Sequence, residues 1–517
     1  MRKLLLASVC TLGTVGVVST AIAQTTPAPA FPAPMGQRPG DVARGIETNV
    51  PTPTVQIANP IQGQLISKPG ATPGANNNNN AFGTARSGAS AVPTPGTLVI
   101  HFNSRITAQW FQGWNSLMST SAAGTASPQT RTSNQMSTWM RLYGGADGMA
   151  ANGLRYGGAF EVRTNFTGAA YTPPINAPTS QAGATTNGNT LYMRRAFVYA
   201  GTNELGIVRF GMGDGLITLF DQGRTTLQTY SPTAHFNGSD LQTSIGGNSA
   251  PPFAFLSGSG DEYDTQKIVY LSPNFSGFDF GLAYSPSAGN SLAGCGLVAS
   301  TCSNITTSAT AADGARFKDM INAGVRYQGN VGPVNVLAYG VYSYAGNVNY
   351  SGSVAAARSA VTGAGAPAGG TFTGQYDAMN FGSAGVALTY EGFTLGANFL
   401  GGSINGRMAA APSGGSGTTA YLVGAQYQIP GVPLVVGGVF MSVDSQGAVA
   451  MTGLSQRKEY GFSMGGSYTL APGMVLFADY LYQNRKQSGW NFASGAAGAA
   501  NNSVQGQGVV FGTQMTW

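Results

Sequence analysis

The chain has 517 residues, of which only 9% are charged and 10% aromatic, with 76 glycines and a formal net charge of +6. Soluble domains carry about 25% charged residues, so an ordinary water-exposed surface is excluded. The 25 Lys and Arg residues are spread along the chain rather than clustered, so the basic balance carries no nucleic-acid reading.

The chain opens MRKLLLASVCTLGTVGVVSTAIAQ, with Arg2 and Lys3 ahead of a moderately apolar stretch and Ala21-Ile22-Ala23 before Gln24. This pattern predicts a secretory signal peptide over residues 1–23, cleaved after Ala23. A membrane anchor would need about 20 strongly apolar residues, and this core is diluted by Ser, Thr and Gly. Residues 24–96 are rich in Pro, Ala, Thr, Gly and Asn, including the run Asn76 to Asn80, without sustained periodicity. We expect this segment to be disordered; a spacer and a contact to peptidoglycan or a partner are both open readings.

Residues 97–517 have a different texture. The longest apolar run, VPLVVGGVFM from Val432 to Met441, is half of what a spanning helix needs. A chain this poor in charge that meets lipid must satisfy every backbone polar group internally, and without spanning helices only a closed barrel does so. The strand signal is alternation. In VIHFNSRITAQWF, Phe102, Ile106, Ala108 and Trp110 share one parity, and His101, Asn103, Arg105, Thr107 and Gln109 the other. In LRYGGAFEVRTNF, Leu154, Tyr156, Phe160, Val162 and Phe166 stand against Arg155, Glu161, Arg163 and Asn165.

Sixteen strands are predicted, at 97–113, 135–146, 153–166, 190–202, 205–213, 264–272, 277–286, 317–328, 334–345, 377–390, 393–404, 418–428, 433–444, 457–470, 474–485 and 503–517. Their connections alternate long and short: 114–134 is long, a GADGMAAN turn follows, 167–189 is long, and Asn203-Glu204 is a two-residue turn. Short periplasmic turns, long external loops and an even strand count mark outer-membrane barrels. The expected fold is therefore all-β, a transmembrane antiparallel barrel located in the outer membrane among its lipid and lipopolysaccharide.

Cys10 leaves with the signal peptide, and Cys295 and Cys302 read as a disulfide closing a small ring in the fourth external loop. No His or third Cys lies near them, so a metal site is not expected, and no cofactor motif stands out. An enzymatic barrel would need a base, yet neither His101 nor His235 has a Ser or Asp at a defensible spacing. A structural or adhesive barrel remains a rival.

Three stretches resemble the Gram-negative general porin family of trimeric sixteen-stranded channels: RRAFVYAGTNELGIVRFGMGD from Arg194 to Asp214, KIVYLSPNFSGFDFGLAY from Lys267 to Tyr284, and the C-terminal GVVFGTQMTW. The last, with Val509, Phe511, Thr513, Met515 and Trp517 alternating, is similar to the signal read by barrel-assembly machinery. The resemblance implies a homotrimer, passive diffusion of small hydrophilic solutes, and a third external loop, here residues 214–263, that folds into the barrel. That loop carries Asp214, Asp221, Asp240, Asp261 and Glu262, and lacks the Pro-Glu-Phe-Gly-Gly stretch of the familiar form.

On the lumen parity we place His101, Arg105, Arg141, Arg155, Arg163, Arg194, Arg209, Lys267, Arg326, Arg457 and Arg485 as basic, against Glu161, Asp279, Glu459 and Asp479. The expected working site is a basic ladder of Arg105, Arg141, Arg155, Arg163, Arg194 and Arg209 facing the acidic third loop. This excess predicts a mild anion preference. A sugar- or organic-anion-selective channel is the neighbouring alternative.

Overall fold

The computed structural model describes residues 95–116, 134–165, 191–202, 204–221, 223–227, 230–231, 265–287, 318–346, 348–349, 375–405, 411, 415–447, 455–471, 473–492 and 496–516. The signal peptide, the 24–94 segment, Asp240, Asp261, Glu262, His235, the Cys295 and Cys302 pair and Trp517 lie outside these residues. The side chains of His101, Arg163 and Arg194 are also outside them.

The barrel strands are β1 (Thr97–Asn115), β2 (Asn134–Met149), β3 (Arg155–Asn165), β4 (Tyr192–Thr202), β5 (Gly206–Gly213), β6 (Thr265–Leu271), β7 (Phe278–Ser287) and β8 (Lys318–Val331). They continue as β9 (Val334–Gly346), β10 (Met379–Tyr390), β11 (Phe393–Ser403), β12 (Thr418–Gln428), β13 (Leu434–Ser445), β14 (Arg457–Ala471), β15 (Met474–Lys486) and β16 (Ser503–Thr516). Each pairs antiparallel with its sequence neighbour, and β16 closes on β1 from Arg105↔Thr516 to Asn115↔Gly506. Sixteen strands spaced about 4.8 Å apart and tilted about 40° give a backbone ring roughly 32 Å across.

The outer face follows the expected parity. Phe102, Tyr156, Phe160, Val198, Phe210, Leu282, Phe399, Val423 and Met464 are exposed, while Arg105, Arg155, Glu161 and Arg209 are buried on the inner face. Outward rings pair near both rims, as Phe278 with Tyr327 and Phe393 with Tyr427 by the short turns, and Tyr460 with Tyr482 toward the long loops. Such girdles flank the hydrocarbon band of outer-membrane barrels.

Each of the seven short turns contains, or at β4–β5 is directly followed by, a glycine with φ between 58° and 95°. One two-residue turn joins Tyr390 to Phe393 through Glu391 and Gly392, with φ of 44° and 82°. Two consecutive left-handed residues match the twist of the flanking strands, and glycine adopts that conformation without Cβ strain. One expected turn differs: β2 runs through the GADGM stretch to Met149 and reverses only at residues 150–154. The small residues that suggested a turn pair across both neighbours, and Phe160 and Tyr156 lie over Gly144 and Gly148 where a Cβ would collide.

A helix, α1 (Leu216–Asp221), leaves the end of β5. β5 and β6 have 8 and 7 residues, against 19 in β1. The wall is therefore low at this point, and the chain enters the barrel instead of passing over its rim. The core sits where this loop meets the inner wall. Leu216, Ile217, Leu219, Phe220, Leu227 and Tyr230 are buried together with Leu337, Tyr339, Val341, Leu400, Val435, Val439 and Met441.

Candidate functional site

The inner surface has two unlike sectors. From β9 to β13 it is largely apolar, which departs from the expected water-facing polar parity. The Val432–Met441 run shows why: on β13, Val436 and Phe440 face outward, while Val435, Val439 and Met441 join the core beneath the loop. A strand covered on both faces reads as continuously apolar.

The loop seats on wall glycines. A Cβ at Gly281 would lie 2.7 Å from Leu216 Cδ2, at Gly396 2.7 Å from Leu227 Cγ, and at Gly437 2.7 Å from Tyr230 Cδ1. Polar ties fix the same path. Arg224 Nη2 donates to Asn335 Oδ1 at 2.6 Å, Asn398 Nδ2 donates to Thr225 Oγ1 at 2.6 Å and to Tyr339 Oη at 2.7 Å, and Ser231 Oγ donates to Asp479. The described part of the loop thus runs along the inner wall from β7 to β15.

Asp221 does not face the arginines as the sequence suggested. Its carboxylate closes the loop on itself, accepting from Gly223 N–H at 2.9 Å, Thr225 N–H at 3.0 Å, Thr226 Oγ1 at 3.1 Å and the Thr225 hydroxyl. Burial pushes this carboxyl above the ordinary carboxylate range, and the four hydrogen bonds oppose that push.

The second sector, β1 to β6, carries the basic groups. Arg105, Arg141 and Arg163 are consecutive register partners, Arg105↔Arg141 and Arg141↔Arg163, so three arginines stand in one row across three strands. Like charges directly opposite destabilise a sheet. Here they have compensation: the guanidinium carbons of Arg105 and Arg141 lie 4.9 and 4.6 Å from the Trp139 ring centroid, and Arg141 Nη1 is 3.6 Å from Glu161 Oε1. Glu161 also meets Arg195 Nε at 3.4 Å, and Arg195 Nη2 is 3.1 Å from Asp214. Arg209 lies 4.1 Å over the Phe197 ring, and Lys267 Nζ donates to Gly213 O at 2.6 Å. Lower in the barrel Arg155 is buried on the same face as Asp147, which accepts a hydrogen bond from the Tyr199 hydroxyl.

Three assignments change. On β4 the inward side chains include Arg195, Phe197 and Tyr199, an arginine the parity reading did not place in the lumen, and a bulge at Glu161/Val162 leaves Arg194 without a register partner on β3. Alternation alone hides this, since a one-residue slip exchanges the faces. Asp147 joins the inner wall because β2 continues past the expected turn. Arg224 puts a cation on a loop read as acidic. The buried charged residues among those described are ten basic and seven acidic, a smaller excess than the parity count implied.

Two further inward cations pair with carboxylates on the neighbouring strand. Arg326 meets Asp279 through two bonds of 2.6 and 3.1 Å and donates to Leu219 O at 3.3 Å, while Arg485 Nε is 2.6 Å from Glu459 Oε1. Among the described residues no group of three His, Cys, Asp or Glu is placed to hold a metal ion.

A family model described as Gram-negative porin matches residues 81–488. The chain belongs to the Gram-negative porins. No curated protein matches it. Solved structures similar to this porin include the anion-selective porin from Comamonas acidovorans, with 16% identity, 81% of this chain and 100% of that one covered, and a TM-score of 0.46. OmpF of Salmonella typhi in complex with daunomycin is similar at 13% identity over 81% and 98% of the two chains, with a TM-score of 0.46. The outer-membrane channel DcaP of Acinetobacter baumannii is similar at 9% identity over 83% and 100%, with a TM-score of 0.44.

Proposed function

We propose that this porin forms a water-filled channel through which small hydrophilic solutes diffuse passively, with a mild preference for anions. The observation that carries the preference is the register row Arg105, Arg141 and Arg163 on the wall away from the loop's apolar seat. Coulomb interactions in a narrow lumen with low-dielectric walls are screened less than at an open surface. Glu161 and Asp214 balance Arg195 and part of the row, which holds the preference to a modest one.

The same reading makes the protein a channel and not an enzyme, exported by cleavage after Ala23 and assembled as a homotrimer. Residues 24–96 then form a segment ahead of the barrel. Reversal potentials across a potassium chloride gradient test the preference. Wild type should reverse on the anion side, and replacing Arg105, Arg141 and Arg163 together by Gln should move the reversal potential toward cations. A cation-preferring wild type overturns the proposal.

A further inference from the structure

Trp139 stands one step closer to the long-loop rim than the arginine row. It pairs with Thr107 on β1 and Asn165 on β3, both smaller than the indole. It is half-buried, whereas Arg105 and Arg141 against its ring are 1% and 3% exposed. A solute descending the lumen therefore meets the partly exposed indole before it meets the guanidiniums, which lie 4.9 and 4.6 Å from the ring centroid. The cation–ring contacts and burial hold those guanidiniums in place, so their charge is not dispersed in water.

We propose that Trp139, backed by Arg105 and Arg141, forms a weak binding subsite for organic anions in which a carboxylate is attached to an aromatic ring. This rests on the anion-preferring reading above and names the solute class that reading favours. The ring of such a solute lies against the indole, and its carboxylate points toward the arginine row. A carboxylate on a short alkyl group gains only the electrostatic half of the site. Simple halide gains no stacking at all.

The test is block of potassium chloride current through the full-length porin in planar bilayers by benzoate and by acetate. Benzoate should block at a concentration about five times lower than acetate, the contribution of one aromatic pair. Trp139→Leu should bring the two close together, and Trp139→Phe should keep part of the difference. Potassium chloride reversal potentials of wild type separate the two proposals. A cation preference there defeats the anion reading, whereas an anion preference with equal block by benzoate and acetate defeats the subsite alone. Full retention of the benzoate excess in Trp139→Leu also overturns it. If Trp139→Leu does not insert, Trp139→Phe decides, and an undiminished excess counts against the subsite.

Discussion

Replacing Asp221 by Ala should free the constriction loop without dissolving the barrel. The carboxylate receives four hydrogen bonds, from two backbone N–H groups and two threonine hydroxyls, all within the buried turn after α1. Each buried donor left unsatisfied costs about 1–3 kcal/mol. Water entering the space vacated by the carboxylate returns part of this, and removing a buried anion returns more, so the net cost is about 3–5 kcal/mol. That changes the docked-to-undocked ratio of the loop by roughly two to four powers of ten, while the closed strand ladder is untouched. Single-channel recording should show larger mean conductance and more open-channel noise than wild type. Retention of the folded, heat-modifiable band in gel electrophoresis would establish that the barrel is intact. Thr225→Val, which removes one hydroxyl and its link to Asn398, should give a smaller change in the same direction. Wild-type conductance and noise in Asp221→Ala, in a barrel shown to be folded, would refute the assignment of this carboxylate as the loop's internal tie.

Two further outcomes follow from the sequence and the wall. Mass spectrometry of protein purified without reductant should find Cys295 and Cys302 two hydrogens lighter than free thiols, and two alkylatable thiols would contradict the pairing. Val423 lies mid-strand on β12 with an outward side chain 46% exposed. Val423→Arg should therefore lower barrel stability by about 2–4 kcal/mol, the cost of a cation at the bilayer midplane. Urea titration in lipid vesicles checks this, and an unchanged midpoint would place Val423 away from the hydrocarbon.

The strand count was legible because lipid and lumen impose a period of two on every spanning segment, and the short turns carry glycines where the chain reverses with positive φ. The inward placing of Arg105 and Arg141 was legible for the same reason, since β1 and β2 keep their parity. Arg195 was not, because two adjacent arginines offer one on each parity, and the bulge between β3 and β4 leaves no mark in hydrophobicity. Asp147 was lost to a glycine-rich stretch that resembles a turn but works as a surface for Phe160 and Tyr156. The apolar inner wall of β9 to β13 was hidden by its partner: nothing local to Val341 or Met441 says that a segment roughly one hundred and two hundred residues earlier, respectively, will lie beside them.

The seat of the loop also constrains the order of events in assembly. The loop leaves the chain after β5, yet Phe220 rests on β8, Thr225 on β10 and β11, Tyr230 on β13 and Ser231 on β15. None of those surfaces exists until the corresponding strands have been added to the sheet. Contacts so distant in sequence are entropically costly to form early and are rewarded only when most of the wall is present. The segment is therefore fully anchored only when β8, β10, β11, β13 and β15 all stand in the sheet. Because the tie to Asp479 lies one strand from the β16 to β1 seam, the complete seat of the loop requires a nearly complete barrel.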